Sequence, residues 1–121
     1  MIFEKELSDK IIDCAFKVHK NLGYGFLEKV YENSLKIELQ EAGFKVEQQI
    51  EIDVFYKNQI VGVYRADLLV ENKIILELKA EKTLNTEHLA QLIHYLKATK
   101  KRLGYLINFG QKKMEFKRII V

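Results

Sequence analysis

Arg65-Ala66-Asp67-Leu68-Leu69-Val70, then Glu71-Asn72-Lys73, then Ile74-Ile75-Leu76-Glu77-Leu78-Lys79 is the stretch that decides the fold. Two apolar runs of strand length flank a short polar break, which is the pattern of a β-hairpin. With Glu71 to Lys73 as a three-residue loop, Val70 faces Ile74, and counting back along the ladder sets Asp67 opposite Glu77. Lys79 lies two residues beyond Glu77 and projects from the same face. Carboxylates opposed in this way have Cβ atoms about 4.5–5.5 Å apart and destabilise the pair. A divalent cation between them reverses that sign, because Mg²⁺ takes one or two protein carboxylates and fills its shell with water and phosphate oxygens. An ammonium beside such a site orients a water and stabilises charge on phosphorus, so the spacing suits metal-assisted phosphodiester hydrolysis. The same stretch also reads as a half-exposed antiparallel strand whose wet face carries Glu77 and Lys79 without function. The motif alone does not choose between the two.

Composition narrows the choice. The chain has 121 residues, 48% hydrophobic and 31% charged, which predicts one domain over residues 1–121 with one core. Cys14 is the single cysteine, excluding an internal disulfide and a cysteine-based zinc site. The apolar runs are too short for a membrane span and no signal-peptide pattern opens the chain, so a cytoplasmic protein is expected. Charge is uneven: residues 97–121 hold eight Lys or Arg against Glu115 alone, net +7, so residues 1–96 sum to −4. A basic C-terminal region suits a phosphate-bearing partner, and equally an ordinary solvated surface.

Periodicity gives the rest of the order. A helix is expected over residues 8–21, with Ser8 as N-cap, an apolar side of Ile11, Ile12, Ala15, Phe16 and Val18, and Gly23 as stop. A second helix is expected from Leu27 to Ala42, closed by Gly43. Strands over 45–56 and 60–70 around Lys57-Asn58, a strand over 74–80, a helix over 87–100 and strands over 103–109 and 114–120 complete the order ααβββαββ. Strands on both sides of one crossover helix predict an α/β (α+β) fold with a mixed sheet flanked by helices.

Gly25-Phe26-Leu27-Glu28-Lys29-Val30-Tyr31-Glu32 spells G-x-x-E-x-x-Y-E at the start of the second helix. With Asp67 and Glu77-Leu78-Lys79 downstream, the chain resembles the GxxExxYE family of the PD-(D/E)XK nuclease superfamily over nearly its whole length. Ala66 stands where the superfamily's name has Pro. The resemblance implies a restriction-endonuclease-like core and Mg²⁺ or Mn²⁺ held by Asp67, Glu77 and the Leu78 carbonyl, with Lys79 acting on the attacking water. It also implies Glu28 as a further ligand and Glu32 as its supporting neighbour; the two are one turn apart on one helix face. The plainer reading of Glu28 is a carboxylate complementing a helix N-terminus. Tyr31 is expected to pack between Leu27 and Leu35.

Gln91 and Tyr95, one turn apart on the third helix, look like the Gln-x-x-x-Tyr pair of one nuclease branch. Leu89, Leu92, Ile93 and Leu96 set that helix's apolar stripe, and Gln91, Tyr95 and His88 are expected away from its centre. His88 and His94 are six apart and do not pair on one face as zinc ligands do at i, i+4. Lys100, Lys101 and Arg102 are candidates for backbone phosphates. The expected activity is metal-dependent hydrolysis of nucleic acid, DNA first, with a second copy or partner subunit supplying specificity. The alternative is a module on the same fold that binds nucleic acid or protein without turnover.

Overall fold

In the computed structural model, which describes residues 4–121, the elements are α1 (Lys5–Leu22), α2 (Glu28–Glu41), β1 (Val46–Tyr56), β2 (Gln59–Val70), β3 (Ile74–Lys79), α3 (Thr86–Thr99), β4 (Leu103–Asn108) and β5 (Glu115–Ile120). This is the ααβββαββ order that the periodicity gives. The strands form one five-stranded sheet in chain order, antiparallel except for β3 and β4. That parallel pair needs a crossover, and α3 supplies it. Among the described residues no helix is long and apolar enough to cross a membrane.

Local chemistry sets the boundaries. Lys57 and Asn58 are both left-handed (φ 51° and 63°), as a two-residue hairpin turn requires. Glu71 and Asn72 are left-handed as well (φ 53° and 55°), and Val70 pairs with Ile74 across the three-residue loop. α2 ends in a Schellman turn: Gly43 at φ 92°, with Phe44 N–H donating to Leu39 O and Gly43 N–H to Gln40 O. The expected start of α1 is wrong. The helix begins at Lys5, with Glu4 at its N-cap, and Ser8 lies buried inside it, its Oγ without a partner among the described residues. Pairs at i, i+4, Lys5–Asp9 and Glu6–Lys10, support the extra turn, and Leu7 packs onto the core.

Each face of the sheet has its own core. α1 and α2 cover one through Ile11, Ala15, Tyr31 and Leu35 against Leu68, Leu76, Leu78 and Ile107. α3 covers the other through Leu92 and Leu96 against Leu69, Ile75 and Leu106. Gly104 lets α3 come close, since a Cβ there would stand 2.9 Å from Leu92. β3 is therefore covered on both sides, and the half-exposed reading of that strand is overturned: Glu77 is only 3% exposed.

The β1–β2 hairpin does not keep one face throughout. Leu68 and Val70 pack in the α1/α2 core, yet Ala66 two residues earlier packs in the α3 core, and on β1 Val46 and Ile52 divide the same way. The alternation reverses between Gln48↔Leu68 and Ile50↔Ala66 without a change of register. Gln49, at φ 57°, is where β1 makes the reversal, and Asp67 is its counterpart on β2.

Candidate active site

Asp67 and Glu77 meet where the β2–β3 ladder ends, one step beyond Leu68↔Leu76. From there side chains replace the strand-to-strand bonds. Asp67 N–H donates to Glu77 Oε1 at 3.0 Å, and Leu78 N–H donates to Asp67 Oδ2 at 2.8 Å. Each carboxylate is thus fixed by a backbone donor through one oxygen; the second oxygen of Asp67 has only a long contact, 3.5 Å, from Gln49 Nε2.

The pair carries a strong electrostatic penalty. Burial, then the Asp67 charge, push the Glu77 carboxyl up to about 8, against the Asp67 N–H and Lys79. Burial also pushes Asp67 up to about 6; the Leu78 N–H and Lys79 pull down, while Glu32 and Glu28 push up. Two acids held this way ionise together only with a cation to compensate them. Lys79 sits at the open end of β3, half-buried, and its charge acts on both.

Glu28 and Glu32, one turn apart on α2, sit in different surroundings. Glu28 is the first residue of α2, exposed, and its charge is felt by both Asp67 and Glu77. Among the described residues no three His, Cys, Asp or Glu side chains are gathered at metal-binding distances, so Glu28 is not drawn up beside the pair. Glu32 is 3% exposed and takes donors from Lys29, Gln48 and Gln49. Burial alone would raise its carboxyl, but those three donors outweigh it and hold the group below its usual range. Gln49 links the two carboxylate centres: its Nε2 lies 3.0 Å from Glu32 and 3.5 Å from Asp67 Oδ1. Neither glutamine stood out in the sequence, where they are two polar residues on a strand.

Tyr31 does not pack on Leu27, which is 81% exposed. Its ring stacks on Phe109 at 4.7 Å, its hydroxyl donates to Gly23 O, and Phe26 N–H donates to that hydroxyl. The tyrosine thereby ties the Gly-Tyr-Gly turn to the start of α2, one residue from Glu32.

Tyr95 is also placed differently. It is buried in the α3 core rather than turned away from it, because the sheet's reversal brings Tyr64 under it, ring centroids 6.1 Å apart. Burial and then the charges of Glu77 and Asp67 push its phenol up to about 12, with Gln91 acting in the opposite direction. Tyr95 shares its core with Ala66, the residue before Asp67. His88 belongs to a capping box, its Nδ1 accepting from Asn85 N–H while Asn85 Oδ1 accepts from His88 N–H.

Lys100, Lys101 and Arg102 follow α3 at the far end of the sheet. Lys100 is the left-handed C-cap (φ 59°), and Lys101 Nζ donates to Asn72 in the β2–β3 turn. Leu103 pairs with Ile74, three residues before Glu77, which is roughly 10 Å along the strand. The opposite end is held by Asn108, fully buried, whose Oδ1 accepts from Glu81 and Gly110 N–H. Nothing in the local sequence marks this asparagine.

A profile of the PD-(D/E)XK nuclease superfamily matches residues 5–119. The chain belongs to that superfamily. As a PD-(D/E)XK protein it has the mixed sheet flanked by helices of a restriction-endonuclease-like fold. No curated protein matches it at a significant level. Among solved structures, the one titled "Crystal structure of SSO0001" is similar at a TM-score of 0.59 and 20% identity, over 76% of this chain and 48% of that one. That likeness is one of fold, and the PD-(D/E)XK chain spans about half of SSO0001.

Proposed function

We propose that this PD-(D/E)XK protein is a nuclease of the GxxExxYE branch that hydrolyses phosphodiester bonds of nucleic acid, DNA first, in the cytoplasm. One observation carries the reading: a buried carboxylate, Glu77, and a half-buried one, Asp67, lock each other in place through backbone donors, with Lys79 two residues on. A carboxylate pair whose burial and mutual repulsion oppose ionisation, each fixed by a backbone donor through one oxygen, fits Mg²⁺ or Mn²⁺. Asp67 and Glu77 would hold it, with the Leu78 carbonyl as a further donor, and Glu28 would join only by swinging in from the start of α2. When bound, the cation polarises the phosphate and neutralises charge developing on it.

The chain's own residues do the remainder. Lys79 positions the attacking water and stabilises the charge that builds on the phosphate. Gln91 and Tyr95 set the strand that carries Glu77 and contact the phosphate beside it. Glu32, through Gln49, keeps Asp67 in its rotamer. Lys100, Lys101 and Arg102 bind backbone phosphates away from the cut, and a second copy or partner subunit supplies sequence specificity. Tyr31 and Glu32, both buried and both hydrogen-bonded, support the GxxExxYE assignment because each has a role the octapeptide's spacing requires.

The test is to incubate the purified protein with labelled linear, circular and single-stranded substrates in Mg²⁺ and in Mn²⁺. Metal-dependent cleavage that disappears in Glu77→Gln is expected. A folded, metal-binding protein that cuts none of them is a binding module instead.

A further inference from the structure

A groove of about 780 Å³ runs between α3 and the outer half of the β1–β2 hairpin, lined by Phe55, Tyr64, Gln91, His94, Tyr95 and Lys97, with Asp53 and Glu87 also on its wall. The carboxylates are not in it. It abuts them through Tyr95, which lines the groove and packs in one core with Ala66, the residue before Asp67. Two of its rings are left open: Phe55 is 61% exposed and Tyr64 is 50% exposed. Uncovered aromatic surface of this kind, continuous with a reaction centre, marks a binding site.

We infer that the groove receives the unpaired bases of a single-stranded nucleic acid beside the bond to be cut. The inference rests on the nuclease reading. Aromatic rings stack on every base, so a wall that presents Phe55 and Tyr64 suits a strand whose bases are free. In a duplex those faces are stacked on one another and the phosphates are outermost, and an apolar wall has nothing to offer them. Asp53 and Glu87 repel phosphates but accept from the exocyclic amino groups of bases. Lys97, on the exposed side of α3, is available to the backbone. The volume falls within the roughly 300–1,000 Å³ of sites that hold a molecule of nucleotide size.

A second copy is the rival occupant, and the hairpin's free edge speaks against it. β1 is the outer strand of the sheet and carries Glu47, Glu51 and Asp53, all exposed. Antiparallel pairing of this edge with itself would bring those charges together.

Fluorescence anisotropy with a short labelled oligonucleotide, single-stranded or folded into a hairpin duplex, tests the inference without metal. The single strand should bind at least tenfold more tightly. Phe55→Ala and Tyr64→Ala should each weaken it about tenfold, by loss of one stacked base, with circular dichroism unchanged. Equal or tighter duplex binding, or indifference to both substitutions, overturns the inference. So does a dimer by light scattering that either substitution dissociates. Cleavage in Mn²⁺ separates this inference from its premise. Duplex cutting that ignores Phe55→Ala keeps the nuclease and removes the groove. Ring-dependent single-strand binding without any cutting does the reverse.

Discussion

Asp67 presents its main-chain N–H to Glu77 Oε1 at 3.0 Å, across the point where the β2–β3 ladder stops. The bond fixes an acid against a neighbour of like charge in a nearly dry setting. Mn²⁺ binding should depend on both members. Calorimetry should show at least tenfold weaker binding to Asp67→Ala than to the parent, and equal affinity would sink the metal assignment.

Without metal, the fold should lose stability as pH rises from about 4 to 8. Between the ordinary values, 3.8 and 4.5, and the folded ones, about 6 and about 8, the folded chain keeps protons that the unfolded chain has released. Rising pH in that window therefore favours the unfolded state. Urea melts at several pH values check this, and Glu77→Gln should flatten the upper part of the profile. A parent stability that climbs from pH 5 to pH 8 contradicts the arrangement.

Lys79→Ala should lower cleavage at least a hundredfold while Mn²⁺ affinity stays within a few-fold, since the ammonium acts on water and phosphate rather than on the cation. Loss of both together would make Lys79 a structural element of β3.

Gln49→Ala should destabilise the protein by about 1–3 kcal/mol, because buried Glu32 loses a donor. Gln49→Gly removes the same donor but relieves the left-handed backbone, so it should be the milder of the two. Chemical denaturation checks both: stability equal to the parent's in the two variants would show that the side-chain link is unimportant, and the reverse order that the left-handed backbone is not strained.

Lys100→Gly has two readouts. As a left-handed C-cap the position favours glycine, and stability should rise by about 0.5–1 kcal/mol. If the cluster binds phosphates, the salt slope of duplex binding should also shrink by about 0.9, because one phosphate is no longer neutralised. A gain in stability with an unchanged slope leaves Lys100 as a helix terminus only.

The hairpin was legible because its turn is short and polar and its strands apolar, so that counting alone aligned Asp67 with Glu77. α2's end was legible too, since Gly43 is the residue a Schellman turn needs. Other features had no local signal. Ser8 has the chemistry of a cap, but the apolar period runs one turn back from Ile11 to Leu7, and burial outweighed capping. Tyr95 was assigned by helical phase to a boundary, whereas the sheet's reversal closes over it. Gln49 has no signature of a left-handed residue, and only the tertiary link to Glu32 accounts for its place.

The reversal of faces at Gln49 and Asp67 divides the β1–β2 hairpin into two parts with separate neighbours. The inner part is anchored under α2, while the outer part leans only on α3 and ends in an uncovered tip. Near the crossing Ile52 and Ala66 still belong to the α3 core, whereas Phe55, Tyr56, Ile60 and Val61 at the tip are exposed and carry none of that packing. The tip of the hairpin can in that sense vary while the layer beneath it stays as it is.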